Sequence, residues 1–195
     1  QDTIKPTFTE PVDTTINCNV STLPANTGEP TEVQDICDPS PQVSYSDVST
    51  KTSTGACTDY NYTITRTWRV EDTCGNFTTK TQIITVQDTI KPTFTEPVDT
   101  TINCNVSTLP DNTGEPTEVQ DICDPSPQVS YSDVSTKTNT GACTDYNYTI
   151  TRTWRVEDTC GNFTTKTQII TVQDTIKPTF TEPVDTTINC NVSTL

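Results

Sequence analysis

From Tyr60 to Val70 the chain alternates between apolar and polar positions. Tyr60, Tyr62, Ile64, Trp68 and Val70 fall on one face; Asn61, Thr63, Thr65, Thr67 and Arg69 fall on the other. A period of two sustained over β-branched and aromatic residues predicts a strand. Arg66 interrupts the apolar face. It either pairs with a carboxylate or lies at a rim, and the pattern leaves both open. After Glu71 the run Asp72-Thr-Cys74-Gly75-Asn76 holds two residues that tolerate positive φ, so the chain can reverse there. Phe77–Val86 returns as a second strand, and the adjacent Ile83 and Ile84 force one of the two outward or into a bulge. The prediction is a long hairpin.

Upstream the signals are shorter. Gln1–Pro6 reads as a linker. Thr7–Thr9 and Val12–Ile16 read as one interrupted strand that Pro11 confines to an edge or a bulge. Asn19–Pro30 has loop composition, Thr31–Ile36 is a short strand, and Asp35–Pro41 is a turn. Gln42–Val48 alternates again, and Ser49–Asp59 is polar. No segment carries the spacing of an amphipathic helix. Short strands separated by Pro and Gly turns predict an all-β, antiparallel β-sandwich.

The pattern then repeats. Gln1-Asp-Thr-Ile-Lys-Pro6 recurs at Gln87 and at Gln173, a period of 86 residues, and the first two units differ only at Ala25/Asp111 and Ser53/Asn139. The expected organisation is a tandem array: repeat 1 at 1–86, repeat 2 at 87–172, and the opening of repeat 3 at 173–195. Units of this size bury roughly 60–65 % of their surface on folding, which leaves a thin core. Each whole unit has four cysteines, and the chain has nine cysteines and no histidine. Without histidine or a Cys-x-x-Cys pair, metal-thiolate and redox motifs fit poorly, and disulfides in an oxidising compartment fit well.

Strand direction predicts the pairing. If the first strand runs down, Cys18 lies at the bottom, Cys37 at the top, Cys57 low again and Cys74 at the top. The strand between Cys57 and Cys74 spans about 40 Å, and bridged Cα atoms must lie within about 7 Å. The expected bonds are Cys18–Cys57 and Cys37–Cys74, repeated as Cys104–Cys143 and Cys123–Cys160, with the partner of Cys190 beyond this chain. Each would close a loop worth on the order of 3–4 kcal/mol. The alternative is Cys18–Cys37 with Cys57–Cys74.

Charge narrows the chemistry. A net charge of −15 and a pI near 4.1 argue against nucleic acid and anionic membranes as partners, and no apolar run approaches the roughly 20 residues of a spanning helix. The same strand layout gathers Asp35, Asp38, Glu71 and Asp72 at the top of one unit. It sets Asp88 of the next linker against Asp121, Asp124, Glu157 and Asp158. Such a cluster suits calcium, which takes about six to eight oxygens; ordinary Asp turn chemistry is the plainer reading. No other cofactor is implied. The lack of histidine excludes serine-triad chemistry, no phosphate-binding glycine loop is present, and no enzyme activity is expected. Tyr60, Tyr62 and Trp68 could form a carbohydrate platform, but they lie on the predicted core face.

Three stretches carry a resemblance: Gln87-Asp-Thr-Ile-Lys-Pro92 with Glu96-Pro-Val-Asp99; Asp121-Ile-Cys123; and Ile150-Thr-Arg-Thr-Trp154-Arg-Val-Glu-Asp158-Thr-Cys160-Gly-Asn162. Together they resemble the HYR-like, immunoglobulin-type repeats of Bacteroidetes surface proteins, similar to those of giant gliding-motility adhesins of the SprB type exported by type IX secretion. The resemblance covers almost the whole of each unit. It implies tandem immunoglobulin-like sandwiches set end to end at the cell surface, acting as the stalk of a filamentous adhesin. The alternative is a glycan- or protein-binding module acting through repetition. The implied partners are neighbouring repeats, and beyond them surface glycans or other filaments. The resemblance also implies possible O-glycosylation at Thr3, Thr14, Thr89 and Thr100.

Overall fold

The computed structural model describes residues 2–190; Gln1 and the last five positions of the expected repeat 3 opening lie outside the described residues. Each repeat is a two-sheet β-sandwich. In the first, β1 (Thr7–Thr9) pairs with β3 (Thr31–Gln34), and a four-stranded sheet takes the order β2-β6-β5-β4, with β2 Thr14–Asn17, β4 Gln42–Ser49, β5 Tyr62–Glu71 and β6 Phe77–Gln87. The second repeat copies this with β7 (Thr93–Thr95), β8 (Thr100–Asn103), β9 (Thr117–Gln120), β10 (Gln128–Ser135), β11 (Tyr148–Glu157) and β12 (Phe163–Gln173).

The long hairpin is β5–β6, an uninterrupted ladder from Tyr62↔Val86 to Glu71↔Phe77. There is no bulge at the isoleucine pair: Ile84 is buried and Ile83 faces out. Its turn closes with Asp72 N donating to Asn76 O, and Gly75 takes φ +88°. The predicted strand from Asp59 starts later, because Cys57–Asp59 form a 3-10 turn. A single helical turn, Pro24–Thr27, sits in the expected loop.

The interruption near Pro11 is a change of sheet. β1 pairs in the small sheet, whereas β2 pairs with β6, and that pairing is parallel. It is a parallel element in an otherwise antiparallel sandwich. Side chains of β6 hold the segment leading to it: Thr78 Oγ1 donates to Pro6 O at 2.6 Å, Lys80 Nζ to Phe8 O at 2.7 Å and Gln82 Nε2 to Val12 O at 2.9 Å, while Ile83 N donates to Asp13 Oδ1 at 2.7 Å. Residues 6–17 therefore lie alongside the last strand of their own repeat, in the same direction.

The core has two apolar halves. Phe8, Trp68 and Val70 pack with Val33 between the sheets, and Ile64, Ile84 and Val86 pack with Ile16, Cys18 and Tyr62. Arg66 and Gln82 lie between them and are almost fully buried. Arg66 resolves its two sequence options in favour of pairing. It donates to both Asp47 oxygens at 2.8 Å, to Thr27 Oγ1 at 2.9 Å and to Thr22 O at 2.8 Å, and it stacks 4.3 Å from the Tyr45 ring. The Asp47 hydrogen bonds hold its guanidinium more firmly protonated than usual. Gln82 donates to Val12 O and Thr27 O and accepts from Trp68 Nε1. The reason is backbone satisfaction. The sheet change and the helical turn bring carbonyls into the core that no ladder serves, and buried carbonyls need donors. The two segments meet at Gly28, where φ is +101° and an added Cβ would lie 3.0 Å from Pro11 Cβ.

Candidate functional site: the junction between repeats

β6 ends at Gln87 and the chain passes directly into the second repeat. Several bonds seat this linker. Cys18 N donates to Gln87 O at 2.9 Å, Asn17 Nδ2 to Thr89 Oγ1 at 2.8 Å and Asp88 N to Asn61 Oδ1 at 2.5 Å. From the other side Asn162 Nδ2 donates to Asp88 O at 3.3 Å.

Two disulfides cross the junction. Cys18 bonds Cys123 with Cα atoms 6.1 Å apart, and Cys57 bonds Cys160 with Cα atoms 4.7 Å apart, both within the ordinary range for a bridge. This corrects the expected pairs Cys18–Cys57, Cys37–Cys74, Cys104–Cys143 and Cys123–Cys160. The expected placement by ends agrees with the bonds: Cys18 and Cys57 sit at the end of repeat 1 that meets Cys123 and Cys160. The error lies in the partner. Cys18 follows β2 on one flank of β6, while Cys57 lies in the β4–β5 connection on the other flank. Each cysteine therefore reaches across the junction. By position type, Cys18 joins the counterpart of Cys37 and Cys57 the counterpart of Cys74, as in the alternative reading, but the partners come from successive repeats.

The remaining cysteines mark the same positions. Cys37 and Cys74 are unbonded at one end, and Cys104 and Cys143 at the other. The seat that holds the first linker recurs beyond β12. Cys104 N donates to Gln173 O at 2.9 Å, Asn103 Nδ2 to Thr175 Oγ1 at 2.6 Å and Asp174 N to Asn147 Oδ1 at 2.9 Å. Cys190 lies exposed in the opening of repeat 3.

Of the seven aspartates singled out as metal candidates, Asp88, Asp121 and Asp158 converge, with one oxygen of each within 4.8 Å of the others. Asp38 and Asp124 do different work. Asp38 accepts from Ser40 N at 2.8 Å and Thr73 N at 2.9 Å, and Asp124 accepts likewise from Ser126 and Thr159. They tie the β3–β4 loop to the hairpin turn, the connection first assigned to a Cys37–Cys74 bond. Asp35 and Asp72 hold the positions of Asp121 and Asp158 in repeat 1, and there Asp35 groups with Asp2 and Cys37. Burial works against ionisation of Asp72, but bonds from the Asn76 side chain and the Asn76 and Cys74 backbones hold its carboxyl below the usual range.

Asp88 is pushed the other way. Burial raises its carboxyl most; a bond from Ile90 N opposes this, and the charges of Asp158, Asp121 and Asp124 add to the rise. Two full negative charges under 5 Å apart repel by roughly 3–4 kcal/mol at an effective dielectric of about 20. Tyr60, half-buried at the same junction, has its hydroxyl pKa raised by burial and then by Asp124, Asp59, Asp88 and Asp121. Trp68 is core, and Tyr62 packs against the core. Thr3 and Thr89 are exposed, Thr14 and Thr100 are half-buried, and the Thr89 hydroxyl already accepts from Asn17.

No protein-family model matches the chain, and no curated protein matches it. Among solved structures, the chain is similar to Drosophila N-cadherin EC1-4 at 10% identity, with 87% of this chain and 50% of that one covered and a TM-score of 0.38. It is similar to human mucin-like protocadherin EC1-2 at 14% identity (87% and 98% covered, TM-score 0.30) and to mouse clustered PcdhgC3 EC1-3 at 12% (88% and 69% covered, TM-score 0.32). The chain spans about half the length of the first. Among the described residues, no helix is long and apolar enough to cross a membrane.

Proposed function

We propose that this chain is a segment of the stalk of a large repetitive extracellular surface adhesin, supplying reach and tensile strength. The observation that carries this reading is the pair of disulfides crossing the junction. A protein whose repeats need only be tethered has no use for two covalent bonds between neighbours; one that must keep its axis under load does. Disulfides of this kind also fit an oxidising, extracellular compartment.

The parallel β2–β6 pairing serves the same end. Pulling a repeat by its ends draws β2 backward and β6 forward, so their hydrogen bonds are loaded together in shear. Along an array the bonds recur, with Cys104 and Cys143 taking toward repeat 3 the roles of Cys18 and Cys57. Each forms as two thiols give two protons and two electrons to a disulfide oxidant, which becomes a dithiol. The neighbouring repeats are then the chief partners, and the role is mechanical.

Electron microscopy of a longer oxidised array tests this. Straight rods with an axial repeat of about 40 Å per unit are expected, from some ten strand residues at about 3.3 Å each plus a loop, and they should become bent chains in reductant. Compact or randomly bent particles under oxidising conditions would refute it. A second reading, a glycan- or protein-binding module acting by avidity, draws on one observation: a cleft of about 260 Å³ lined by Pro24, Glu29, Pro30, Val43, Tyr45 and Trp68. Binding of the two-repeat chain on a glycan array would favour that reading over a pure stalk.

A further inference from the structure

We propose that Asp88, Asp121 and Asp158 form a binding site for a hard divalent cation of the calcium class. Three elements deliver the carboxylates: the linker after β6, the loop after β9 and the turn after β11. Each is fixed by its own backbone. Asp88 Oδ1 accepts from Ile90 N at 3.0 Å. Asp121 Oδ1 accepts from Cys123 N at 2.8 Å and Asp124 N at 2.9 Å. Asp158 accepts from Cys160 N and Asn162 N on one oxygen and from Asn162 Nδ2 on the other.

These bonds leave two oxygens over. Asp88 is only 5% exposed, yet its Oδ2 has no hydrogen-bond partner, and neither has the buried Oδ2 of Asp121. A buried carboxylate oxygen without a partner is costly. Here both belong to residues of the trio that brings one carboxylate oxygen of each within 4.8 Å of the others. Among the described residues, none of the ion pairs brings a Lys or Arg to this trio. A cation accounts for both features at once, since it takes the orphaned lone pairs and offsets the crowded charge.

The donor chemistry narrows the class. The donors are all oxygen, the chain has no histidine, and the nearby sulfurs of Cys18 and Cys123 are tied up in a disulfide. That excludes the soft and imidazole-seeking metals and fits calcium, which accepts about six to eight oxygens in adaptable geometry. Because Asp88 follows directly from β6, the ion would bind the linker to both loops of repeat 2. Its effect would be to stiffen the junction, whatever the array is used for.

The test uses the oxidised two-repeat chain. Calorimetric titration with calcium chloride, and melting in about 5 mM calcium against a chelator, should show saturable binding and a rise of about 5 °C or more, comparable to other ligand-linked stabilisations. Terbium should give luminescence sensitised by Tyr60, quenched by calcium and reduced in Tyr60→Phe. The double variant Asp88→Asn/Asp121→Asn keeps shape and acceptor oxygens, so it should lose the binding while melting higher than the parent in chelator. Absence of saturable binding overturns the proposal. So does an equal calcium shift in parent and double variant, or a parent chain stabilised by acid alone and indifferent to calcium.

Discussion

Reduction of the junction should change how far the protein can be stretched, and the bond positions set by how much. Between Cys18 and Cys160 the backbone runs 142 residues (160 − 18), a contour of about 500 Å at roughly 3.5 Å per residue. With both bridges in place, force crosses from Cys18 to Cys123, and only the 37 residues to Cys160 (160 − 123) can extend. That is about 130 Å by the same scale. Stretching single two-repeat molecules between handles at the chain ends should therefore give a final contour about 370 Å longer in reductant than without it. The measurement also reads the pairing. Bonds confined within repeats, Cys18–Cys57 and Cys123–Cys160, would leave 66 residues free (123 − 57) and an oxidised contour of about 230 Å between the same two points. That value would refute the crossing. An unchanged contour with and without reductant would refute any load-bearing bridge.

Other changes test the parts separately. Cys57→Ser should expose one new alkylatable thiol at Cys160 and leave Cys18 protected, whereas pairing within the repeat would expose Cys18; tandem mass spectrometry distinguishes the two. Arg66→Met should cost about 2–3 kcal/mol in urea unfolding. This is below the 3–5 kcal/mol of a fully buried broken pair, because the Asp47 side chain is 30% exposed and regains water. Arg66→Lys should recover part of that loss by keeping the charge without the two-pronged geometry. Gly28→Ala should destabilise by about 1–3 kcal/mol through its positive φ and the Pro11 contact, with a lowered melting temperature as the readout and an unchanged one counting against the strain.

The features legible in the sequence are those written in local alternation. The β5–β6 hairpin follows from a period of two, and its turn from Gly75-Asn76, because strand type and reversal depend on near neighbours. The parallel β2–β6 pairing was not legible. Thr14–Asn17 is short, and its partner is chosen by β6 side chains reaching back to carbonyls of residues 6–12, a relation that no periodicity records. Arg66 was ambiguous for a related reason: its partners Thr22, Thr27 and Asp47 come from two other segments. The acidic cluster was legible as a gathering of loop ends, but not as a choice among seven aspartates, because that depends on which oxygens the backbone has already engaged.

The disulfides show a deeper limit, one set by repetition itself. Because Cys37 and Cys123 occupy the same position in almost identical units, every spacing or strand-direction argument for a bond within a repeat applies equally to a bond to the next repeat. Four cysteines per unit satisfy either scheme with none left over. What decides is the direction each sulfur faces at the end of its unit. Cys18 and Cys57 flank β6 on opposite sides, and β6 carries the chain straight into its neighbour, so the nearest sulfur to each belongs to that neighbour. In an array of near-identical units joined by a linker this short, the next copy is as much a part of each cysteine's surroundings as its own repeat.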